Sequence, residues 1–228
     1  MTVTEVGVMG VKAGLNVMDE STPEGKILWG AWRAVVAAPG GPSKVYFGLE
    51  VEDPSKIWGF FDFKSIEEHQ NFAKSFGGEA VKDLPVIMTH GEFTKHVTLA
   101  PFPPAVLESP VTAVMIAYFA SDISQAAKDV ATAQLNQYLE KSVKKCSDVK
   151  DVSYGWGVEN DFPVKGGEPG QVGSILMACI GWPSIDAHLK FRETREFKEN
   201  VGSLTNMDRL VKLVTFHLSC QIIERRSE

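Results

Sequence analysis

The sequence is short of most features that would classify it quickly. It holds three cysteines in 228 residues, Cys146, Cys179 and Cys220. That odd number, without metal-ligand spacing, gives neither a disulfide framework nor a zinc site and suits reduced thiols in a cytoplasmic protein. Basic side chains number 23 against 29 acidic ones, a formal net charge of −6. With no stripe of Lys or Arg there is no footprint for a phosphate backbone, so no nucleic-acid partner is expected. No apolar run approaches the length of a membrane-crossing helix, and Met1 to Gly14 lacks the basic start and apolar stretch of a signal peptide. A membrane partner is therefore not expected either. Phosphate-binding glycine loops, a Walker motif and a Gly-x-Ser-x-Gly elbow are all missing, which leaves nucleotide binding and serine hydrolysis unsupported. What remains is an ordinary globular composition, 44% hydrophobic and 23% charged.

The informative feature is an internal repeat. Val3-Thr4-Glu5-Val6 matches Val111-Thr112-Ala113-Val114, and Val45 to Pro54 matches Val152 to Asp161. Ser65 to Phe72 (SIEEHQNF) matches Ser184 to Phe191 (SIDAHLKF), with Ser, Ile, His and Phe identical. A weaker match sets His96-Val97-Thr98-Leu99 on His217-Leu218-Ser219-Cys220. Only the second half carries the Gly/Pro-rich insertion Phe162 to Gly173. Between the halves, Ala100 to Pro110 holds four prolines, which predicts a stiff connector. The expected organisation is a first repeat at 1–100, a linker at 101–110 and a second repeat at 111–228.

Each half reads in the same order. A β-branched opening strand (Val3 to Lys12, Val111 to Ala120) precedes a helix, started in the first half by Thr22-Pro23 and ended by Pro39-Gly40-Gly41. Two strands follow, Lys44 to Val51 with Lys56 to Phe63, and Asp151 to Glu159 with Gly173 to Trp182. A second helix begins at Ser65 or Ser184, and one strand closes each half, near Glu92 to Leu99 and Leu210 to Ile223. That is α+β, a βαββαβ split unit twice. Strands such as SILMACIG are apolar at consecutive positions, so both faces should be covered. Two four-stranded sheets with helices outside would then close an intramolecular barrel.

The strand ending in an aromatic, followed by Ser-Ile-acidic-x-His-x-x-Phe, occurs at Phe63 to Phe72 and, as Trp182 to Phe191, again in the second half. With the repeated element order it resembles the dimeric α/β-barrel superfamily, nearest to the antibiotic-biosynthesis-monooxygenase type, as a fused tandem. The resemblance implies substrates held between helices and sheet, and cofactor-independent oxygenation, cyclisation, decarboxylation or isomerisation of an apolar, aromatic or polyketide-like molecule in natural-product metabolism. It also covers non-catalytic small-ligand-binding and stress-associated proteins, and that alternative stays open. Haem-degrading relatives carry an axial histidine about ten residues further along the second helix. Phe76 to Val81 and Phe197 to Gly202 hold none, so neither haem nor any other cofactor is expected, and no metal.

The candidate catalytic residues are His69 and His188. Ser65 with Glu68 forms a capping box, which places His69 on one face with Ile66, Phe72 and Phe76. His188 shares a face with Ile185 and Phe191. Near a helix N-terminus the macrodipole favours neutral imidazole, which could accept a proton or hold a carbonyl oxygen. A buried histidine inherited through duplication as a core residue is the competing account. Tyr154, Trp156, Trp182, Phe191 and Phe72 are candidate substrate-binding residues. The aromatics and the insertion of the second half make His188 the preferred base. His96 and His217 read as edge or interface residues. A homodimer is possible, although a tandem chain could complete its barrel alone.

Overall fold

The computed structural model describes residues 1–225; the last three residues of the expected second repeat, 226–228, lie outside the described residues. The chain divides into two compact units, Met1–Thr98 with the chain from Leu218 onward, and Leu99–His217. Each carries the repeated α+β unit.

In the first unit β1 (Val3–Val11) is followed by α1 (Pro23–Ala37), β2 (Lys44–Leu49), β3 (Lys56–Phe63), α2 (Ile66–Phe72), the short α3 (Gly78–Ala80) and β4 (Met88–Val97). The caps form as the sequence predicts: the Thr22 hydroxyl accepts from Gly25 N with Pro23 in the first turn, and the Ser65 hydroxyl accepts from Glu68 N. Glu68 returns its carboxylate to Lys64 N at 2.8 Å, one residue before the cap. Between α2 and α3 the helix widens into a π turn over Ala73–Gly77. The antiparallel sheet runs β2-β3-β1-β4. Its helix-facing side carries Val3, Val11, Phe47, Phe61 and Phe63 against Leu28, Trp32, Val35 and Phe72.

In the second unit β5 (Val111–Phe119), α4 (Gln125–Lys141), β6 (Val152–Trp156), β7 (Phe162–Pro163) and β8 (Val172–Trp182) lead to α5 (Ile185–Glu193), α6 (Arg195–Asn200), α7 (Gly202–Thr205) and β9 (Leu210–Leu218). The order β6-β8-β5-β9 reproduces that of the first sheet. From Gly173 to Trp182 every residue of β8 is buried, as its unbroken apolar run requires. The insertion Phe162 to Gly173 is a hairpin: Phe162 pairs with Gly173 and is 1% exposed. The proline-rich stretch packs into this unit, with Val106 and Leu107 fully buried and the Thr112 hydroxyl donating to Val106 O at 3.0 Å.

One expectation needs correcting. The closing strand near Leu210 to Ile223 is two strands. After β9 the chain crosses to the first unit, and β10 (Gln221–Glu224) pairs antiparallel with β2, from Gln221↔Phe47 to Glu224↔Lys44. Gly48 permits the crossing, because a Cβ there would lie 2.6 Å from Ser219 O. The added strand covers the β2 edge. Arg225 then fastens it, donating to Val36 O, Ala38 O and Gly41 O at the end of α1, a helix with no basic residue in its last turn.

Candidate functional site

Alternation along β1 puts Glu5, Gly7 and Met9 on the helix-facing side of the first sheet. Antiparallel register sets Glu5 beside Phe61 on β3 and His96 on β4. The fourth residue of α2, His69, comes down onto this patch. Its Nε2 is 3.0 Å from Glu5 Oε2 and its Nδ1 is 2.8 Å from His96 Nε2. Phe63 packs on the same imidazole, with ring centroids 4.9 Å apart. The three polar groups form a line, Glu5–His69–His96, with the imidazole of His69 in the middle.

The His69–His96 hydrogen bond can run in either direction, depending on the tautomer, and the Nε2 edge of His69 faces the Glu5 carboxylate. Both ring nitrogens of His69 are thereby committed inside the protein. Glu5 Oε1, by contrast, has no hydrogen-bond partner among the described residues.

Beside this line lies a cavity of about 350 Å³. Glu5, Gly7, Met9, Phe61 and Phe63 form its sheet wall; Trp32, Val35, His69 and Phe72 form its helix wall. The π turn passes along the rim, contributing Ala73 and Gly77. Turns of this kind recur at functional sites because they redirect a helix without ending it. Trp32 is 3% exposed, and its indole N–H has no hydrogen-bond partner among the described residues. An apolar space with one carboxylate in its wall has the composition of a small-molecule site.

The second unit repeats the histidines but not their surroundings. His188 Nδ1 is 2.7 Å from His217 Nε2, the same pairing, so the weak match of His96 with His217 marks a true structural equivalence. Glu5, however, corresponds to Ala113 and Gly7 to Met115. Ala113, Met115 and Ala117 are all packed in the core. Trp182 replaces Phe63, is fully buried, and stacks on His188 with centroids 4.9 Å apart at 22°. Phe191 completes the stack from α5. Met115 and Trp182 are buried at the positions that Gly7 and Phe63 hold in the cavity wall of the first unit.

The sequence candidates therefore separate. His69 and Phe72 border the cavity of the first unit. His188, Trp182 and Phe191 come together in the core of the second. Tyr154 sits half-buried on the outer strand β6, its backbone paired with Ala100. Trp156, also half-buried, donates from its indole to Thr132 Oγ1 at 2.9 Å beneath the Lys128 ammonium. Sequence reasoning missed Glu5 and read His96 as an edge residue. The signal for both was in the repeat: a glutamate where the second copy has alanine, and a histidine at equivalent positions of both closing strands.

Two further groups bear on the chemistry. Asp62, on the opposite face of β3 from Phe61 and Phe63, is fully buried and accepts from the Thr4 hydroxyl at 2.8 Å. Burial pushes its carboxyl up to about 7, against the smaller opposing effects of Thr4 and Lys44. Burial also pushes the Cys220 thiol up to about 12, which removes it as a nucleophile at neutral pH. Among the described residues no three His, Cys, Asp or Glu side chains converge to hold a metal ion, since His69 stands between its partners. With both its nitrogens engaged, His69 does not fit the part of an axial ligand to haem.

No protein-family model matches the chain, and no curated protein matches its sequence. Solved structures do match its fold. An anthrone oxidase-like protein superposes with a TM-score of 0.65 at 13% identity, over 99% of this chain and 94% of its own. A proposed monooxygenase of Fusobacterium nucleatum gives 0.63 at 11%, over 98% and 94%. A proposed chlorite dismutase gives 0.56 at 11%, over 96% and 94%. Among the described residues no helix is long and apolar enough to cross a membrane. Identities this low speak to architecture alone: the chain has a tandem ferredoxin-like α+β fold.

Proposed function

We propose that the first unit is a cofactor-independent enzyme that removes a proton from an apolar, aromatic or polyketide-like molecule bound in its cavity. The observation that carries this reading is Glu5: a carboxylate on an apolar strand that lines the cavity, with one oxygen 3.0 Å from His69 Nε2. Glu5 is the base. Its Oε1 takes the proton of a phenolic hydroxyl or an acidic C–H, and the electron pair stays on the substrate as phenolate or enolate. His69 is a positioning residue that donates to Oε2 and fixes the carboxylate's orientation. His96 holds His69 in the tautomer that can donate. Phenolate or enolate formation is the step that oxygenation, isomerisation and cyclisation share, and the anthrone oxidase-like neighbour makes three-ring phenolic ketones the first class to try.

The second unit supports the assignment by contrast. At the positions of Glu5 and Gly7 it carries Ala113 and Met115, both buried, which supports placing the chemistry in the first unit.

Gly7 supplies the direct test. A Cβ there meets nothing closer than 3.8 Å, so Gly7→Met places its side chain in the cavity without a backbone clash, as Met115 does in the other unit. Anthrone consumption with oxygen, giving anthraquinone and water, is expected to fall at least tenfold in Gly7→Met with the fold retained. Equal turnover in the variant would remove the cavity from the mechanism. Anthrone binding without consumption by the wild type would favour the non-catalytic small-ligand-binding alternative.

A further inference from the structure

We infer that the cavity continues outward as a single elongated site, whose outer end takes the carboxylate of the same substrate against Lys12. The inference rests on the small-molecule reading above and narrows it to amphipathic aromatic or polyketide-like acids. A groove of about 790 Å³ adjoins the cavity, and the two share three wall residues, Met9, Val81 and Leu84. The groove adds Pro85 and Met88, with Lys12 and His90 at its edge. Among the described residues no carboxylate lines it. The inner cavity has the reverse character, with Glu5 as its acidic group. Charge is thus separated along one channel: a base at the inner end, methionine, valine and leucine in the middle, and an ammonium outside.

Lys12 is held in place for this task. Its Nζ donates to Pro85 O at 3.0 Å and Val86 O at 2.9 Å, and an ammonium has three N–H groups, so one remains for a ligand. Lys12 makes no ion pair among the described residues. The nearby carboxylate of Glu92 is already bound by Lys56 and lies 3.6 Å from His90 Nε2, whose Nδ1 is 2.9 Å from Thr89 Oγ1. From Glu5 to Met9 the strand advances about 13 Å, and Lys12 lies beyond. A two-ring molecule cannot span that length, whereas an aromatic head on a chain or an extended polyketide acid can.

The experiment uses 11-(dansylamino)undecanoate and its methyl ester, followed by dansyl fluorescence. The acid is expected to bind about tenfold more tightly than the ester. Lys12→Met is expected to bring the acid down to the ester's affinity and leave the ester unchanged, which separates lost charge from a disturbed groove. Gly7→Met is expected to weaken both. Equal affinities of acid and ester in the wild type, no binding of the acid, or a Lys12→Met protein that keeps the preference would overturn the outer subsite. If instead Lys12→Met behaves as expected while Gly7→Met binds both probes normally, the outer subsite stands and the inner cavity loses its role.

Discussion

Replacing Glu5 by Gln is expected to lower turnover by a factor of about 10² to 10⁴, the range lost when a positioned general base is removed. The melting temperature should hold or rise, because an acceptor oxygen remains for His69 and a half-buried polar group placed for function is removed. His188→Leu is expected to do the opposite. His188 is 6% exposed, stacked on Trp182 and paired with His217. Its removal leaves a buried imidazole without its partner, at a cost of about 1–3 kcal/mol. That corresponds to a fall of several degrees in a chain of this size, at about 2–4 °C per kcal/mol, with turnover unchanged. Steady-state assays and calorimetry on the two variants settle the pair. An active Glu5→Gln protein, or an inactive but stable His188→Leu protein, would move the chemistry to the second unit.

The second large effect is on stability against pH, and it comes from Asp62. Its carboxyl titrates near 7 in the folded chain against an ordinary value of 3.8. Between those two values the folded state holds a proton that the unfolded state has released. Stability from this group is therefore fully present below pH 4, declines as pH rises, and levels off above 7. At about 1.4 kcal/mol for each tenfold step the decline amounts to at most about 4 kcal/mol. Thr4, which donates to Oδ1, and Lys44, whose charge favours the ionised form, act against it. Asp62→Asn should remove this slope. Urea unfolding of both proteins at pH 5 and 8 checks the expectation: the difference in stability should shift in favour of the variant by a few kcal/mol at the higher pH. A parallel pH dependence in the two proteins would show that Asp62 ionises as freely folded as unfolded.

How far the sequence reached follows from what kind of information it carries. The βαββαβ order was legible because strand apolarity, the Thr22 and Ser65 caps and the duplication agree with one another, and local agreement of this sort survives folding. The crossing of β10 was not, because Gln221–Glu224 is an ordinary strand and which edge it joins depends on a space that Gly48 leaves open. Site residues divided along the same line. His69 was legible from a motif eight residues long. Its partners Glu5 and His96 are 64 residues before and 27 residues after it, brought together only by antiparallel register. The preference for the second unit came from counting aromatics. Trp182 and Phe191 are buried against His188, whereas Gly7, which no motif search would notice, lines the cavity of the first unit.

The central claim is that the working site lies in the first unit, between Glu5 and the helix carrying His69. Titrating ¹⁵N-labelled protein with anthrone, and following backbone amide and histidine side-chain resonances, tests it most directly. Saturable shifts are expected at Gly7, Gly77 and Gly78 and in the His69 ring, with Gly155, Gly181 and His188 unmoved. Shifts confined to His188, Gly155 and Gly181, or none at saturating ligand, would contradict it.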